Sequence, residues 1–449
     1  MSNTKKQSIG LSDHFTYRKL LRFTLPSIAT MVFTSIYSVV DGFFISNYAG
    51  KTAFASVNFI MPVLMILATV GFMVGTGGSA LVAKTLGEGD KKKASELFSL
   101  FVAFAFTLGV VLSVIGFIFL PQITVLLGAD ESMVDYCVLY GRIIIAANPF
   151  YIIQMLFMSF FITAEKPKLG LVSTIGAGLA NMVLDFLLVG VFSFGVAGAA
   201  VATGVSQLFG GLFPIIYFMR PNNTSTLKFT KFKVDFTAII KACSNGLSEL
   251  LSNISMSVVG MLYNTQLMKY GGQNAVAAYG VLMYLGMIFS ACFIGYTVGT
   301  APVVSFNYGA NNTDELQNMR KKSINLVGGC GILMVILSWC LSVPLSKMFA
   351  GYDAELLEMT ITAFQIYSFA FAFMGISIYS SSFFTALNNG LISAVISVLR
   401  TVVFQVGTIL VLPLILGVKG IWFSIVLAEL LSMIVAVILL ITQRKKYNY

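Results

Sequence analysis

Residues 52–83 read TAFASVNFIMPVLMILATVGFMVGTGGSALVA, a run in which no side chain is charged. An α-helix of about 20 apolar residues crosses a lipid bilayer, so this segment is long enough to span a membrane. The rest of the chain has the same character, since 57% of its 449 residues are hydrophobic and 10% are charged. A soluble domain carries about 25% charged residues. The sequence therefore predicts an integral membrane protein.

Twelve apolar segments of this kind follow one another, separated by short polar loops. A backbone in lipid must satisfy its own hydrogen bonds, and the segments lack the alternating pattern of barrel strands. We therefore expect an all-α integral membrane protein with twelve transmembrane helices. The predicted spans are 20–47, 53–83, 97–120, 136–163, 169–192, 196–219, 238–268, 275–305, 323–346, 359–386, 391–416 and 420–441.

Lysine and arginine residues are distributed unevenly between the two sets of loops. The side that holds both termini carries 22 of the 28 basic residues. Basic residues concentrate in cytoplasmic loops, so both termini are predicted to be cytoplasmic. The same distribution accounts for the net charge of +10. The basic residues are scattered among short loops, which argues against a nucleic-acid-binding face.

Residues that would build a catalytic or metal site are scarce in the sequence. The single histidine, His14, lies in the polar N-terminal segment, and the five cysteines have no paired spacing. This pattern indicates neither a zinc site nor a disulfide framework. We find no Ser/His/Asp set and no HExxH motif, so we expect neither a cofactor nor an enzymatic activity.

A constant offset in residue number aligns the two halves of the chain. It places Gly87 on Gly309, and the Gly-Val-x-Gly turn at 195–198 on the one at 417–420. Six spans per repeat give both halves the same orientation, as in transporters with two lobes around a central cavity. The predicted parts are a cytoplasmic segment 1–19, an N-terminal lobe 20–219, a cytoplasmic linker 220–237, a C-terminal lobe 238–441 and a cytoplasmic tail 442–449.

Polar residues inside the first, fifth and sixth spans indicate a cation site. Asp41, Asp185 and Thr203 each lie six or seven residues from the outer end of a span, which places them at a common depth of about 10 Å. Asn181 lies one helical turn from Asp185, and Tyr37 lies one turn from Asp41. Such oxygen ligands suit Na⁺, and two neighbouring carboxylates can also hold a proton. Alternatively, each acid is capped locally and only orders the lobe.

The second half carries three further charged residues inside its spans. Glu249 and Asn253 belong to a polar stripe at helical spacing, which faces protein or water. Glu249 is a candidate for attracting cationic substrates or a second ion, with a structural role as the alternative. Arg400 and Glu429 fall near mid-membrane on consecutive antiparallel helices. Their placement favours a static ion pair over a role in transport.

The combination of Asp41, the Asn181-x-x-x-Asp185 motif, Thr203 and the repeated Gly-Val-x-Gly turn resembles the MATE family over essentially the whole chain. The likeness is to its prokaryotic DinF-like and MepA-like branches. It implies two six-helix lobes and export of amphipathic, often cationic drugs in exchange for H⁺ or Na⁺. By this resemblance, the cation or Na⁺ site of the N-terminal lobe consists of Asp41, Asn181, Asp185 and Thr203, and the surrounding pocket includes Tyr37, Tyr140 and Pro26, the last placed where the family's first helix bends.

The resemblance also implies the surroundings and partners of the protein. These are a bacterial inner membrane, small drugs or amphipathic cations as substrates, and action as a monomer. Two related functions stay open. A lipid-linked oligosaccharide flippase of the same broader fold would line its cavity with arginine for the pyrophosphate group, whereas only Arg400 is available here. An exporter of one specific metabolite would share the architecture but accept a narrower range of substrates.

Overall fold

The computed structural model describes residues 9–48, 51–221 and 223–449, and these ranges contain helices but no strand. Two of the helical segments are π-helical and interrupt longer helices. The α-helices are α1 (Tyr17–Tyr48), α2 (Lys51–Gly87), α3 (Lys91–Leu126), α4 (Glu131–Thr163), α5 (Pro167–Asp185), α6 (Gly195–Met219), α7 (Phe236–Asn245), α8 (Leu247–Gly309), α9 (Thr313–Ala350), α10 (Ala354–Tyr367), α11 (Ala370–Ala386), α12 (Gly390–Val398), α13 (Val406–Leu416), α14 (Val418–Thr442) and α15 (Arg444–Tyr447).

Within the described ranges, ten helices are long and apolar enough to cross a membrane, and the bent pair α10 and α11 makes eleven. Helix α8 contains two spans. Its 63 residues would extend about 95 Å as a straight helix, roughly three bilayer cores. Gly272 breaks it with φ 65°, and Tyr263 stacks on Tyr279 across this break at 5.5 Å between ring centroids. The chain therefore turns back at Gly272, in agreement with twelve spans.

Short polar side chains define where several helices begin. Asp90 accepts a hydrogen bond from the N–H of Lys93 at 2.9 Å, at the start of α3. Asn312 accepts one from the N–H of Glu315 at 3.2 Å, at the start of α9. Each cap satisfies one of the N–H groups that have no partner in the first turn. These local interactions let α9 extend beyond the membrane-spanning segment.

Corresponding turns in the two halves have the same backbone conformation. The repeat offset places Gly195 on Gly417, and their φ angles are 54° and 59°. Gly195 is the first residue of α6, and Gly417 directly precedes α14. This left-handed conformation is readily adopted only by glycine. The helix before each turn contains a π-helical segment, Phe186–Val191 in the first half and Leu399–Gln405 in the second. The sequence predicts uninterrupted helices at 169–192 and 391–416, so both π-helical segments are departures from that expectation.

The predicted span 238–268 is also interrupted, since α7 ends at Asn245 and α8 begins at Leu247. The break lies where Gly246 packs directly on α2. A β-carbon at Gly246 would lie 2.0 Å from the carbonyl oxygen of Met73. The prediction of one continuous helix here was wrong, because this break depends on a contact between helices far apart in the chain.

The contacts divide the chain into two compact units. Unit 1 contains the residues up to Gly246 together with Val298–Asn311, and unit 2 contains Leu247–Thr297 together with Asn312–Tyr449. Helix α7 and the last turns of α8 therefore pack with the first half, although the repeat assigns them to the second. The lobe boundaries inferred from the repeat stay a prediction.

Candidate cation and substrate site

A cavity of about 270 Å³ lies in unit 1 and is lined by residues from α1, α2, α4, α5 and α6. Its polar lining includes one carboxyl group, four amides and several hydroxyl groups. Five of the residues expected from the sequence contribute to this lining, namely Tyr37, Asp41, Tyr140, Asn181 and Thr203.

The two acidic residues of the predicted site lie side by side, and one of them, Asp41, lines this cavity. Asp41 is 8% exposed and Asp185 is fully buried. The carboxyl group of Asp41 lies beside the carboxyl group of Asp185 and the hydroxyl of Thr203. Asn181 Nδ2 donates a hydrogen bond to Thr203 Oγ1 at 3.4 Å. The structure thus brings together the four residues expected to bind the cation.

Several oxygen atoms in this group lack a hydrogen-bond donor. In the described part of the chain, no donor reaches Asp41 Oδ1 or either carboxylate oxygen of Asp185. A buried, unpaired carboxylate costs several kcal/mol, and two adjacent carboxylates repel each other. A bound cation, either a proton or Na⁺, would relieve both penalties. Carboxylate, amide and hydroxyl oxygens are ligands that fit such a hard cation.

Asp185 occupies a special position in its helix. It is the last residue of α5, and the π-helical segment Phe186–Val191 follows directly. The wide π turn is frequent at functional sites. Sequence reasoning identified Asp185 but missed the π turn, for which the sequence carries no signal that we recognise.

Tyr140 and Pro26, which were both expected around the site, lie in different surroundings. Tyr140 is fully buried, and its hydroxyl lies beside the hydroxyl of Thr203. Pro26 lies inside α1 and does not contribute to the lining of this cavity. It precedes Tyr37 by eleven residues, which is about 16 Å along a helix. The expectation that Pro26 lines the pocket is therefore not met.

Helix α4 contributes lining residues that sequence reasoning missed. Ile144, Asn148 and Tyr151 join Tyr140 in the cavity wall. Their spacing of four, four and three residues places all of them on one face of a helix. A polar Asn148 is costly in lipid, so the helix face that carries it is expected to point into the protein. The spacing of these four residues on that face was therefore the signal that could have identified them.

In unit 2, Arg400 and Glu429 form the ion pair expected from the sequence. Arg400 Nε donates to both carboxylate oxygens of Glu429 at 3.0 and 2.9 Å, and Nη2 lies 2.9 Å from Oε1. Gln405 Nε2, which sequence reasoning missed, donates to the same carboxylate at 3.3 Å. Glu429 is fully buried, so three nitrogen atoms satisfy its charge where water cannot.

The other two candidates of the second half do not form a comparable site. Glu249 is half-buried on α8, within electrostatic reach of Arg400. Asn253 is exposed, and its Nδ2 donates to the backbone oxygen of Glu249 at 2.8 Å. The Asn253 side chain is therefore hydrogen-bonded within its own helix.

The ends of α2 and α8 cross at two glycines inside unit 1. A β-carbon at Gly87 would lie 2.0 Å from the carbonyl oxygen of Phe306, and one at Gly309 would lie 2.0 Å from that of Lys84. The repeat offset places Gly87 on Gly309 and Lys84 on Phe306, so the two contacts correspond to each other. The crossing is thus pseudo-symmetric, and it allows no side chain at either glycine.

The N-terminal segment lies against the same region. The N–H of Leu11 donates to Glu165 Oε1 at 2.8 Å, in the loop between α4 and α5. Its carbonyl oxygen accepts a hydrogen bond from Asn307 Nδ2 at 3.4 Å, near the end of α8. Leu11 and Phe15 are almost completely buried. This segment therefore ties the first half to the last turns of α8.

The sequence repeat also appears in a comparison with known families. The MatE family model matches residues 26–187 and again residues 250–411. The two matches together cover more than two thirds of the chain. The second match begins at nearly the position that the repeat offset predicts from the start of the first. The family model thus matches each half of the chain once.

Similar proteins were found among both curated relatives and solved structures. The chain is 22% identical over 430 residues to the multidrug export protein MepA of Staphylococcus saprophyticus, covering 96% of this chain and 94% of the relative. It is 23% identical over 447 residues to MepA of Staphylococcus haemolyticus, covering 98% and 97%.

Two solved structures have the same architecture. A MATE protein in complex with MaL6 superposes with a TM-score of 0.90 at 22% identity, covering 97% of each chain. An outward-facing multidrug resistance MATE family transporter of the MOP superfamily superposes with a TM-score of 0.89 at 22% identity, also covering 97% of each chain. These likenesses confirm the predicted all-α membrane fold.

Proposed function

Because this chain belongs to the MatE family of membrane transporters, we propose that it exports amphipathic, often cationic compounds across a bacterial cell membrane in antiport with H⁺ or Na⁺. The observation that carries this proposal is the contact between the Asp41 and Asp185 carboxyl groups beside an open cavity. Two relatives named as multidrug export proteins support the substrate class. In this proposal the protein acts as a monomer without a cofactor.

The acidic pair provides a chemical basis for exchange. A proton or Na⁺ bound between Asp41 and Asp185 neutralises the charge that otherwise has no partner. A cationic drug in the cavity needs the same charge, because Asp41 is the acidic residue in the cavity lining. The two cations therefore compete for one carboxyl group. Such competition is what couples the inward movement of one to the outward movement of the other.

The remaining cavity wall suits flat, apolar cations. Tyr37, Tyr140 and Tyr151 contribute aromatic rings, whose faces attract positive charge. Met61 and Met65 contribute flexible thioether side chains that adapt to ligands of different shape. The volume of about 270 Å³ is close to the lower end for drug-sized ligands, about 300 Å³. Small amphipathic cations are therefore the best fit.

The membrane potential can drive this exchange. One positive charge that enters across 100 mV releases about 2.3 kcal/mol. At one-to-one exchange with a neutral compound, this energy sustains a gradient of about 50-fold. If the exported compound itself carries one positive charge, its exit against the membrane potential costs as much energy as the entry of the coupling ion releases. Its export would then depend on the chemical gradient of H⁺ or Na⁺.

Alternating access requires that one side of the protein opens while the other closes. We assign the crossing of Gly87 and Gly309 to the closure of the cytoplasmic side, where the positive-inside rule places these helix ends. The absence of side chains at both glycines allows the two backbones to touch. Separation of α2 from α8 would then admit substrate from the cytoplasm.

The flippase alternative is less well supported. Recognition of a pyrophosphate group needs an available guanidinium or ammonium group. Arg400, the arginine expected near mid-membrane, is bound by Glu429 through two nitrogen atoms. It therefore offers little to an anionic substrate.

The decisive experiment is efflux of ethidium from cells that express the wild type, Asp41→Asn or Asp185→Asn, with proton and sodium gradients imposed separately. Asp130→Asn, an exposed acid between α3 and α4, provides the matched control. We expect gradient-driven efflux from the wild type and the control, and loss of efflux in both site variants at normal expression. Absence of efflux from the wild type under either gradient would contradict the proposal.

A further inference from the structure

A second cavity of about 500 Å³ lies in unit 1, between the start of α3 and the linker that precedes α7. It opens on the side predicted to be cytoplasmic. Its lining carries a formal charge of +2, because four lysines face two acidic residues. The charged lining residues are Lys92, Lys93, Glu96, Lys231, Lys233 and Asp235.

The positive charge of this cavity is not compensated locally. Asp235 already accepts a hydrogen bond from the N–H of Ala238 at 3.0 Å and so caps α7. Among the residues that the structure describes, no carboxylate lies within 4.0 Å of any of the four lysine ammonium groups. The cavity therefore presents ammonium groups that are available to an anion.

The linker wall of the cavity is fixed by contacts with α3. Phe229 stacks on Phe98 with 5.0 Å between ring centroids. The N–H of Thr230 donates to Ser99 Oγ at 3.0 Å. Lys231 follows immediately, so its position depends on an anchored backbone. The basic wall is thus a built part of unit 1.

The same linker exposes apolar side chains beside the lysines. Residues 231–236 read Lys-Phe-Lys-Val-Asp-Phe, so charged and apolar residues alternate. Phe232 lines the cavity together with Lys231 and Lys233. Val234 and Phe236 are 62% and 73% exposed, and Ile240 of α7 is 67% exposed. Such a patch beside basic residues is typical of a membrane surface with anionic lipids.

We propose that this cavity binds the phosphate-containing headgroup of an anionic phospholipid from the cytoplasmic leaflet. The lysines contact the headgroup, and the acyl chains lie along Val234, Phe236 and Ile240. The apolar rim favours a lipid over a soluble phosphate, which would gain nothing from it. Since the cavity joins α3 to the start of α7, the bound lipid holds the linker between the two repeats in place. The leaflet assignment depends on the predicted orientation.

Native mass spectrometry of the purified full-length protein tests this site. Phosphatidylglycerol and phosphatidylcholine with identical acyl chains are added separately, and retained lipid is counted. We expect the wild type to retain phosphatidylglycerol when this lipid is added at a concentration at least ten-fold lower than the concentration of phosphatidylcholine needed for the same retention. The variant Lys92→Gln/Lys93→Gln/Lys231→Gln/Lys233→Gln loses this preference. A control with the same loss of charge on the same predicted side, Lys166→Gln/Lys168→Gln/Lys445→Gln/Lys446→Gln, keeps it.

Two further measurements distinguish a bound lipid from a bound phosphate ion. Phe236→Ser removes part of the apolar rim without changing charge, and we expect it to weaken lipid retention several-fold. Inorganic phosphate at the same concentration is expected neither to raise the thermal midpoint nor to displace the lipid. The proposal would be overturned if the control variant lost the lipid preference as fully as the cavity variant, or if the cavity variant kept it. It would also be overturned if inorganic phosphate alone raised the thermal midpoint. Drug efflux is not a readout here, so the result is independent of the transport proposal.

Discussion

Gly87 lies against the backbone of α8, and its replacement by alanine tests whether this contact closes the cytoplasmic side. The added β-carbon would lie 2.0 Å from the carbonyl oxygen of Phe306, whereas ordinary contacts begin at 3.4 Å. The obstructing atom belongs to the backbone and cannot rotate away. The ends of α2 and α8 must therefore move apart by about the difference between these two distances to accept the methyl group.

The energetic cost follows from this overlap. Inserting a methyl group into a packed contact typically costs about 1–3 kcal/mol. At about 1.4 kcal/mol per factor of ten, the population of the closed state would fall about 5- to 150-fold relative to the open state. Gly309→Ala should behave alike, because a β-carbon there would lie 2.0 Å from the oxygen of Lys84.

Spin labels at Glu88 and Ala310, next to the crossing, would report the separation of α2 and α8. We expect Gly87→Ala to shift the distance distribution to longer values and to slow efflux. Gly328→Ala in α9 is the matched control, because no atom lies within 4 Å of a β-carbon there. It also gains the same helix propensity as Gly87→Ala. A wild-type distance distribution together with wild-type efflux in Gly87→Ala would refute the reasoning.

Two other contacts of unit 1 lead to further predictions. Phe229→Ala removes the ring that stacks on Phe98. Because Phe229 is only half-buried, we expect the free energy of unfolding to fall by about 0.5–3 kcal/mol and the thermal midpoint to fall with it, while Phe232→Ala, at an exposed residue, changes the midpoint little. Glu165→Ala removes the acceptor of the Leu11 N–H, and hydrogen–deuterium exchange of the N-terminal segment should become faster. Unchanged exchange there would show that burial alone holds this segment.

The membrane spans could be predicted because hydrophobic length is a property of each segment by itself. Helix α9 shows the limit of this reasoning. It begins at Thr313, ten residues before the predicted span 323–346, because Asn312 caps it and the polar first turns lie outside the apolar segment. The turns at Gly195 and Gly417 could also be predicted, since a repeated glycine marks a repeated backbone conformation.

The grouping of residues at the candidate cation site could be predicted in part for a similar reason. Counting residues from the end of a span gives depth, and a spacing of four gives a shared helix face, which relates Asn181 to Asp185. The break at Gly246 and the lining from α4 could not be predicted, because they depend on which helices pack together. Pro26 was assigned to the pocket by resemblance, although its distance along α1 argues against that position.

Asp185 and Glu429 are equally buried, at 0% exposure, but only one of them has its charge satisfied. Nitrogen atoms of Arg400 and Gln405 contact Glu429, whereas no donor in the described residues contacts Asp185. Removal of the charge should therefore have opposite effects on stability. Asp185→Asn relieves an unpaired carboxylate, so we expect an unchanged or higher thermal midpoint.

Glu429→Gln instead leaves Arg400 without its partner inside the protein, which typically costs about 3–5 kcal/mol. Its thermal midpoint should fall, and Arg400→Gln/Glu429→Gln should recover part of the loss, because the double variant contains no uncompensated charge. Efflux should show the reverse order, with complete loss in Asp185→Asn and partial activity in the double variant. An acid that weakens the resting protein yet is needed for transport is expected of a site whose cation must come and go. Equal falls in the midpoint for Asp185→Asn and Glu429→Gln would mean that both acids are structural, and the coupling site would then have to lie elsewhere.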